Sequence, residues 1–206
     1  ILVWLYFHEM IINPQNCRDE NRDRLILSKG QAAPGYYAIF EKFGWVKPEE
    51  LMSFRGINTR LATHPEYNTL PAVDFTSGSL GMGLSAANGM AIAARLTGKN
   101  DIRFFIIMGD GETQEGQVWE AAMTAGHYQL SNVINIIDRN IYQGDQSCLE
   151  VMTIEPMTDK WTSFGWDVIE VDGHDFNDMH TSFAKMKSDK PKLIIANTVK
   201  GKGVSF

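Results

Sequence analysis

The stretch Phe104-Phe105-Ile106-Ile107-Met108 is apolar without alternation and runs straight into Gly109-Asp110-Gly111. A strand with one wet face alternates polar and apolar residues. An unbroken apolar run is buried on both faces, the situation of a strand inside a parallel sheet covered by helices. The pattern recurs: "LILS", "NVINIIDRN", "GWDVIEVDGHD" and "PKLIIANTV" read as further buried strands. Helical segments separate them: residues 1–11, "KGQAAPGYYAIFEKFG", a short "KPEELMSFR" with Pro48 in its first turn, the Ala/Gly-rich stretch after "VDFTSGS", residues 115–129, and "FNDMHTSFAKMKS". This alternation predicts an α/β fold: a doubly wound parallel sheet flanked by helices. The many small residues of "GLSAANGMAIAARLTG" predict close packing against a sheet or a neighbouring chain.

The chain has 206 residues, enough for one full-sized domain with a real core. A net charge of −6 and the absence of a basic run argue against a nucleic-acid surface. Cys17 and Cys148 are the only cysteines and have no metal-ligand spacing, which fits a reduced, cytoplasmic protein. The opening "ILVWLYFHEMII" lacks a basic leader, carries His8 and Glu9, and is too short to span a bilayer, so it reads as a buried helix rather than a membrane segment. It starts with no cap, and "TVKGKGVSF" stops without a closing element. The expectation is one domain lacking residues at both ends.

In doubly wound sheets, ligands bind beyond the carboxyl ends of the strands. Asp110 and Asn140 each follow a strand, and the helix of residues 115–129 connects those two strands. The strands are therefore expected to be neighbours, with both side chains in one crevice. Asp110 offers a carboxylate oxygen and Asn140 an amide oxygen, and the turn in "RNIYQGD" exposes backbone carbonyls near Tyr142. Hard oxygen donors of this kind suit Mg²⁺, with Ca²⁺ or Mn²⁺ as substitutes. Gly109 and Gly111 let the backbone approach a ligand, and the following helix start can face an anion. A magnesium-bridged diphosphate is the expected occupant. No GxxxxGK[ST] loop is present, and "GSLGMG" (78–83) is not GxGxxG. A plain structural turn is the competing reading of Gly-Asp-Gly; Asn140 one strand later favours the site.

"GDGETQEGQVWEA", closed by the Asn of "IIDRN", resembles the thiamine-diphosphate signature, which begins at GDG and ends at Asn. "LSKG", "HPE", "SGSLGMGLSAANGMAIAARLTG", "DKWTSFGWDVIEVDGHD" and "TVKGKGVSF" extend the likeness over nearly the whole chain. Together they resemble transketolases, in particular the N-terminal subunit of two-chain transketolases. The resemblance implies a single diphosphate-binding domain. Asp110, Asn140 and the Tyr142 carbonyl would hold the metal. Gly78, Ser79, Leu80, Gly109, Gly111 and Glu112, with Asp110, Asn140 and Tyr142, would form the thiamine diphosphate site. His64 would face the donor sugar near the reacting carbon, and Glu115 and Glu120 would lie near a dimer interface linking two cofactor sites.

The implied activity is transfer of a two-carbon ketol unit from a ketose (phosphate) to an aldose. The implied partner is a second polypeptide carrying the pyrimidine-binding domain and the activating glutamate, in an α2β2 assembly. Bland readings stand beside these: His64 as a loop histidine, and Glu115 as a first-turn acid favoured by the helix dipole. His8, His127, His174 and His180 read as structural or surface residues. Gln31 stands where the family has a histidine that reaches cofactor and donor. Glutamine keeps the hydrogen bonds but cannot carry a proton near neutral pH. Gln31 therefore implies a retuned donor. The alternatives are a related synthase of deoxyxylulose-phosphate type, or a non-catalytic homologue; intact Asp110 and Asn140 count against the latter.

Overall fold

The computed structural model describes residues 1–205; Phe206, the last residue of "TVKGKGVSF", lies outside the described residues. Five strands form one fully parallel sheet: β1 (Arg24–Leu27), β2 (Phe104–Gly109), β3 (Val133–Arg139), β6 (Asp167–Asp172) and β7 (Lys192–Asn197). Their spatial order is β1-β2-β3-β7-β6. The chain steps from β1 to β3, crosses to the far edge for β6, and returns to place β7 beside β3.

Side chains leave each strand alternately to the two faces, and both faces are dry. Leu25, Phe105, Ile107, Ile134, Ile136 and Ile194 join one core. Ile26, Phe104, Ile106, Val133, Ile137 and Ile195 join the other. The first core is closed by Trp4 of α1 (Leu2–Trp4), Tyr36 and Phe40 of α2 (Ala33–Lys42) and Met179 of α8 (Phe176–Phe183). The second is closed by α4 (Met82–Leu96), α5 (Gly116–His127) and Trp161 of α7 (Met157–Ser163). The expected doubly wound sheet is present, with helices on both sides.

The small residues of α4 have their use on the inner side. Ala87, Ala91 and Ala94 are buried in the second core, and α5 comes close enough for Asn88 Nδ2 to donate to the Ala121 carbonyl at 2.8 Å. The outer side of the same helix leaves Met82 and Leu96 exposed. The free edge of β1 is covered by a side chain: Asp74 accepts the Leu25 N–H at 3.2 Å while paired to Arg22 at 2.6 Å. A charged side chain set against an edge strand in this way hinders pairing with another strand.

Local departures have local causes. The opening helix is a single α-turn that continues as a π-helical stretch, Leu5–Glu9, and ends there rather than at residue 11. Asp23 takes the Ile11 N–H at 2.7 Å, which pulls the chain out of the helix. The short helix α3 (Pro48–Leu51) has Pro48 in its first turn, as expected. A 3₁₀ turn, Gly111–Gln114, precedes α5. The "RNIYQGD" turn is a small hairpin of β4 (Tyr142–Gln143) and β5 (Gln146–Ser147), followed by α6 (Cys148–Val151). No helix among the described residues is long and apolar enough to cross a membrane.

Candidate functional site

Parallel strands put their carboxyl ends on one side. Here that edge collects Lys29 after β1, Asp110 after β2, Asp138 and Asn140 at the end of β3, and Thr198 after β7. Asp110 is 1% exposed. Its Oδ1 accepts from Gly111 N at 2.8 Å and faces the Cys148 thiol at 3.6 Å; its Oδ2 accepts from Ile141 N at 2.5 Å. Burial raises its pKa above the ordinary 3.8, and these donors pull partly against that rise. Among the described residues no cation lies within ion-pair distance of it, whereas the equally buried Asp23 has Arg103 at 2.6 Å. Asn140 Oδ1 accepts from Tyr142 N at 3.0 Å.

This geometry fits a metal. A buried anion without its own cation lies one strand from a side-chain amide oxygen, and the Tyr142 backbone follows directly. Each of the two side chains keeps oxygen lone pairs beyond those engaged by the protein. Among the described residues no cluster of three or more His, Cys, Asp and Glu could hold a metal by itself, so the donor set depends on neutral oxygens, as hard cations accept.

The Glu112 side chain is engaged by the frame. It is 2% exposed, and its carboxylate turns inward: Oε1 accepts from the Ser28 hydroxyl and from Gly81 N at 2.8 Å, and Oε2 from Gly109 N at 3.1 Å. It joins the ends of β1 and β2 to the start of α4. Gly109 has open space where a Cβ would stand. Gly111 does not: a Cβ there would meet Gln143 Oε1 at 2.7 Å, so this glycine also admits the hairpin.

His64 and Gly78 are brought together. A Cβ on Gly78, whose φ is +139°, would lie 3.2 Å from His64 Cδ2, and one on Gly30 would lie 2.8 Å from His64 Nδ1. His64 Nδ1 and the neighbouring Ser77 Oγ are buried with no partner in the protein. Ser79 is exposed and Leu80 half-buried, and the Leu80 carbonyl accepts from Gln117 Nε2 at 3.4 Å. Glu115 is exposed beside Gly81, and Glu120 is exposed on α5. Gln31 is exposed at the rim of a 630 Å³ cleft that also takes in Lys29, Asp138, Asn140, His174 and Lys200.

Lys29, Asp138, Thr198 and Lys200 lie in the stretches "LSKG", "IIDRN" and "TVKGKGVSF", but nothing in the sequence assigns them a role at the site. Lys29 Nζ pairs with Asp138 at 2.6 Å, and the Thr198 hydroxyl bonds the other oxygen. Burial opposes the charge on Asp138, but Lys29 and Thr198 hold its pKa below the usual value. Lys200 donates to the Gly144 carbonyl at 2.6 Å and lies over the Tyr142 ring. The one local signal is a charged residue at the tip of an apolar run, as in "IIDRN". His174, expected to be structural, accepts the Val199 N–H at 2.8 Å and steadies that loop. A 660 Å³ cavity near the opposite end of β1 is rich in arginine, but Arg22, Arg24 and Arg60 there are tied to Asp74, Glu50 and backbone carbonyls.

Residues 2–206 match the family described as "Transketolase, thiamine diphosphate binding domain". The chain is 39% identical over its whole length to an apulose-4-phosphate transketolase subunit of Phocaeicola vulgatus, covering 73% of that protein. It is 41% identical to a 6-deoxy-6-sulfo-D-fructose transketolase subunit of Clostridium sp., covering 75%. Human transketolase is 38% identical, and the chain spans 33% of it. The solved transketolase of Leishmania mexicana superposes on 99% of this chain with a TM-score of 0.89 at 32% identity, and the chain spans 32% of that structure. The carboxyl-edge geometry and these likenesses agree, and the chain belongs to the transketolase family, as its thiamine-diphosphate-binding domain.

Proposed function

We propose that this chain holds thiamine diphosphate through Mg²⁺ and serves as the N-terminal subunit of a split transketolase, transferring a two-carbon ketol unit from a ketose donor to an aldose. The observation that carries the reading is Asp110, a buried carboxylate with no protein cation, one strand from Asn140. Asp110, Asn140 and the Tyr142 carbonyl would hold the metal; Ca²⁺ or Mn²⁺ could take its place. Bound there, thiamine diphosphate would supply the nucleophilic and electron-accepting chemistry that ketol transfer needs.

The chain's own residues bind and orient. The backbone of Gly109–Gly111 and of Gly78–Leu80 meets the cofactor. His64, with its unpartnered Nδ1, faces the donor. Gln31, in the cleft with Lys29 and Lys200, contributes neutral hydrogen bonds beside cations and so tunes which ketose, phosphorylated or otherwise anionic, is accepted. Two relatives are named as subunits. In that reading a partner polypeptide supplies the pyrimidine-binding domain and the activating glutamate, in an α2β2 assembly. Glu115 and Glu120, exposed on and beside α5, lie on the face where two copies meet and link their sites.

The test is proton–deuterium exchange at C2 of thiamine diphosphate, followed by NMR on the chain alone and on the complex with its co-purifying polypeptide. Fast exchange only in the complex is expected. Exchange at the solution rate in both samples, with cofactor bound, would replace this reading with that of a non-catalytic cofactor holder.

A further inference from the structure

The hairpin that follows Asn140 is fastened at its base in a particular way. Ile141 and Cys148 flank its strands, and Cys148 N donates to the Ile141 carbonyl at 2.9 Å. Ile141 N reaches Asp110 Oδ2 at 2.5 Å, and Cys148 Sγ lies 3.6 Å from Asp110 Oδ1. These three contacts close a ring. Both feet of the hairpin are bonded to each other, and each is bonded to a different oxygen of one carboxylate.

Two features show how tightly the ring is built. Ile141 has φ +59°, a left-handed conformation that a β-branched residue adopts only when its surroundings impose it. Both of its backbone polar groups are held inside the ring. Cys148 is fully buried, and a Cβ on Gly111 would stand 3.5 Å from its sulfur, so the thiol is packed under the Gly-Asp-Gly turn. An ordinary cysteine thiol carries its proton at neutral pH, so the S–H is available to donate. The other acceptor within reach, Gln143 Oε1, is farther at 3.9 Å and uncharged. A thiol proton goes to the nearer anion.

We propose that Cys148 is a positioning residue for the metal end of the site: its S–H, donated to Asp110 Oδ1, holds the carboxylate and the Tyr142-bearing hairpin in one fixed relation. The proposal rests on the reading of Asp110 and the Tyr142 carbonyl as metal ligands. Without the thiol donor, Asp110 keeps Gly111 N and Ile141 N but loses its bond to the far foot of the hairpin. The carboxylate and the carbonyl are then coupled through the Ile141 N–H alone, and metal binding has to fix what the second tie no longer holds.

The experiment compares Cys148→Val, which keeps most of the volume and removes the donor, with Cys148→Ser, which keeps a donor. It uses the purified protein with any co-purifying subunit left bound. The readouts are the Mg²⁺ concentration for half-maximal retention of thiamine diphosphate, and amide hydrogen exchange at Ile141 and Gly111. Cys148→Val is expected to raise the Mg²⁺ requirement about five- to tenfold, the effect of losing one ordinary hydrogen bond, since S–H is a weak donor even toward a charged acceptor. It should also speed exchange at Ile141 with little change in unfolding temperature. Cys148→Ser is expected to stay within about twofold of the parent, as a retained donor predicts.

A Cys148→Val protein with the parent's Mg²⁺ requirement overturns the proposal. So does a Cys148→Ser protein as impaired as Cys148→Val, since the donor is then not what matters. A parent protein that retains no cofactor at any Mg²⁺ concentration is a different result: it removes the metal-site reading itself.

Discussion

Asp110 and Glu112 stand two residues apart in one turn, both almost fully buried and both with pKa values raised by that burial. Their donors differ in origin. Those of Glu112 come from the frame: Ser28 after β1, Gly81 before α4 and Gly109 at the end of β2. Those of Asp110 come from its own turn and from the feet of the β4–β5 hairpin. One carboxylate is consumed in joining elements that are themselves rigid. The other is held by a small loop and faces the carboxyl edge, where Asn140 and Tyr142 offer oxygen. The same residue chemistry, buried equally, is a clasp in one case and, in the proposed site, a metal ligand in the other; the direction of the side chain separates them.

This comparison can be broken at either residue. Asp110→Ala is expected to abolish Mg²⁺-dependent retention of thiamine diphosphate. The loss should exceed about 100-fold, beyond the usual effect of removing an outer partner of a metal site. Equilibrium dialysis against labelled cofactor measures it, and retention at the parent level would remove Asp110 from the site.

Glu112→Ala is expected to act on stability. It strands the Ser28 hydroxyl and the Gly81 and Gly109 N–H groups in a dry interior, at a net cost of about 3 kcal/mol. In thermal unfolding this is a fall of roughly 6–12 °C for a chain of this size. A fall below about 2 °C would mean that Glu112 does not clasp the frame.

The smallest effect is that of pH. A raised folded-state pKa favours the protonated form of Asp110 in the metal-free protein. This contribution to stability is fully present below the unfolded-state value and is lost as pH rises through the folded one. Metal needs the ionised form, so the Mg²⁺ requirement should increase about tenfold per pH unit below a midpoint lying above 3.8. Isothermal titration across that range reads it directly. A midpoint at or below the ordinary aspartate value would show that Asp110 is not desolvated as the fold requires.

Much of the sheet is legible in the sequence because its cause is local. Phe104–Met108, "NVINIIDRN" and "PKLIIANTV" announce burial on both faces, and all three are central strands of the sheet. Asp110 and Asn140 are legible for a related reason: polar residues that end apolar runs lie at the carboxyl edge, and β2 and β3 are neighbours. Gly78 and His64 can be tied to one site only through a family resemblance, since nothing in their spacing brings them together; in the structure they touch. The GDGE run gives no sign that the carboxylate of its fourth residue turns inward. The Lys29–Asp138–Thr198 cluster escapes sequence reasoning because its members come from three strand ends far apart in the chain.

The sequence by itself determined the parallel, doubly covered sheet and the edge of it that carries polar residues, because hydrophobic runs and turn residues act over a few positions. Tertiary structure alone decided which carboxylate is spent on the frame and which is left for a ligand. That choice depends on donors at Ser28, Gly81, Ile141 and Cys148, which meet Asp110 and Glu112 only when separate strands, a helix start and a hairpin are folded against one turn.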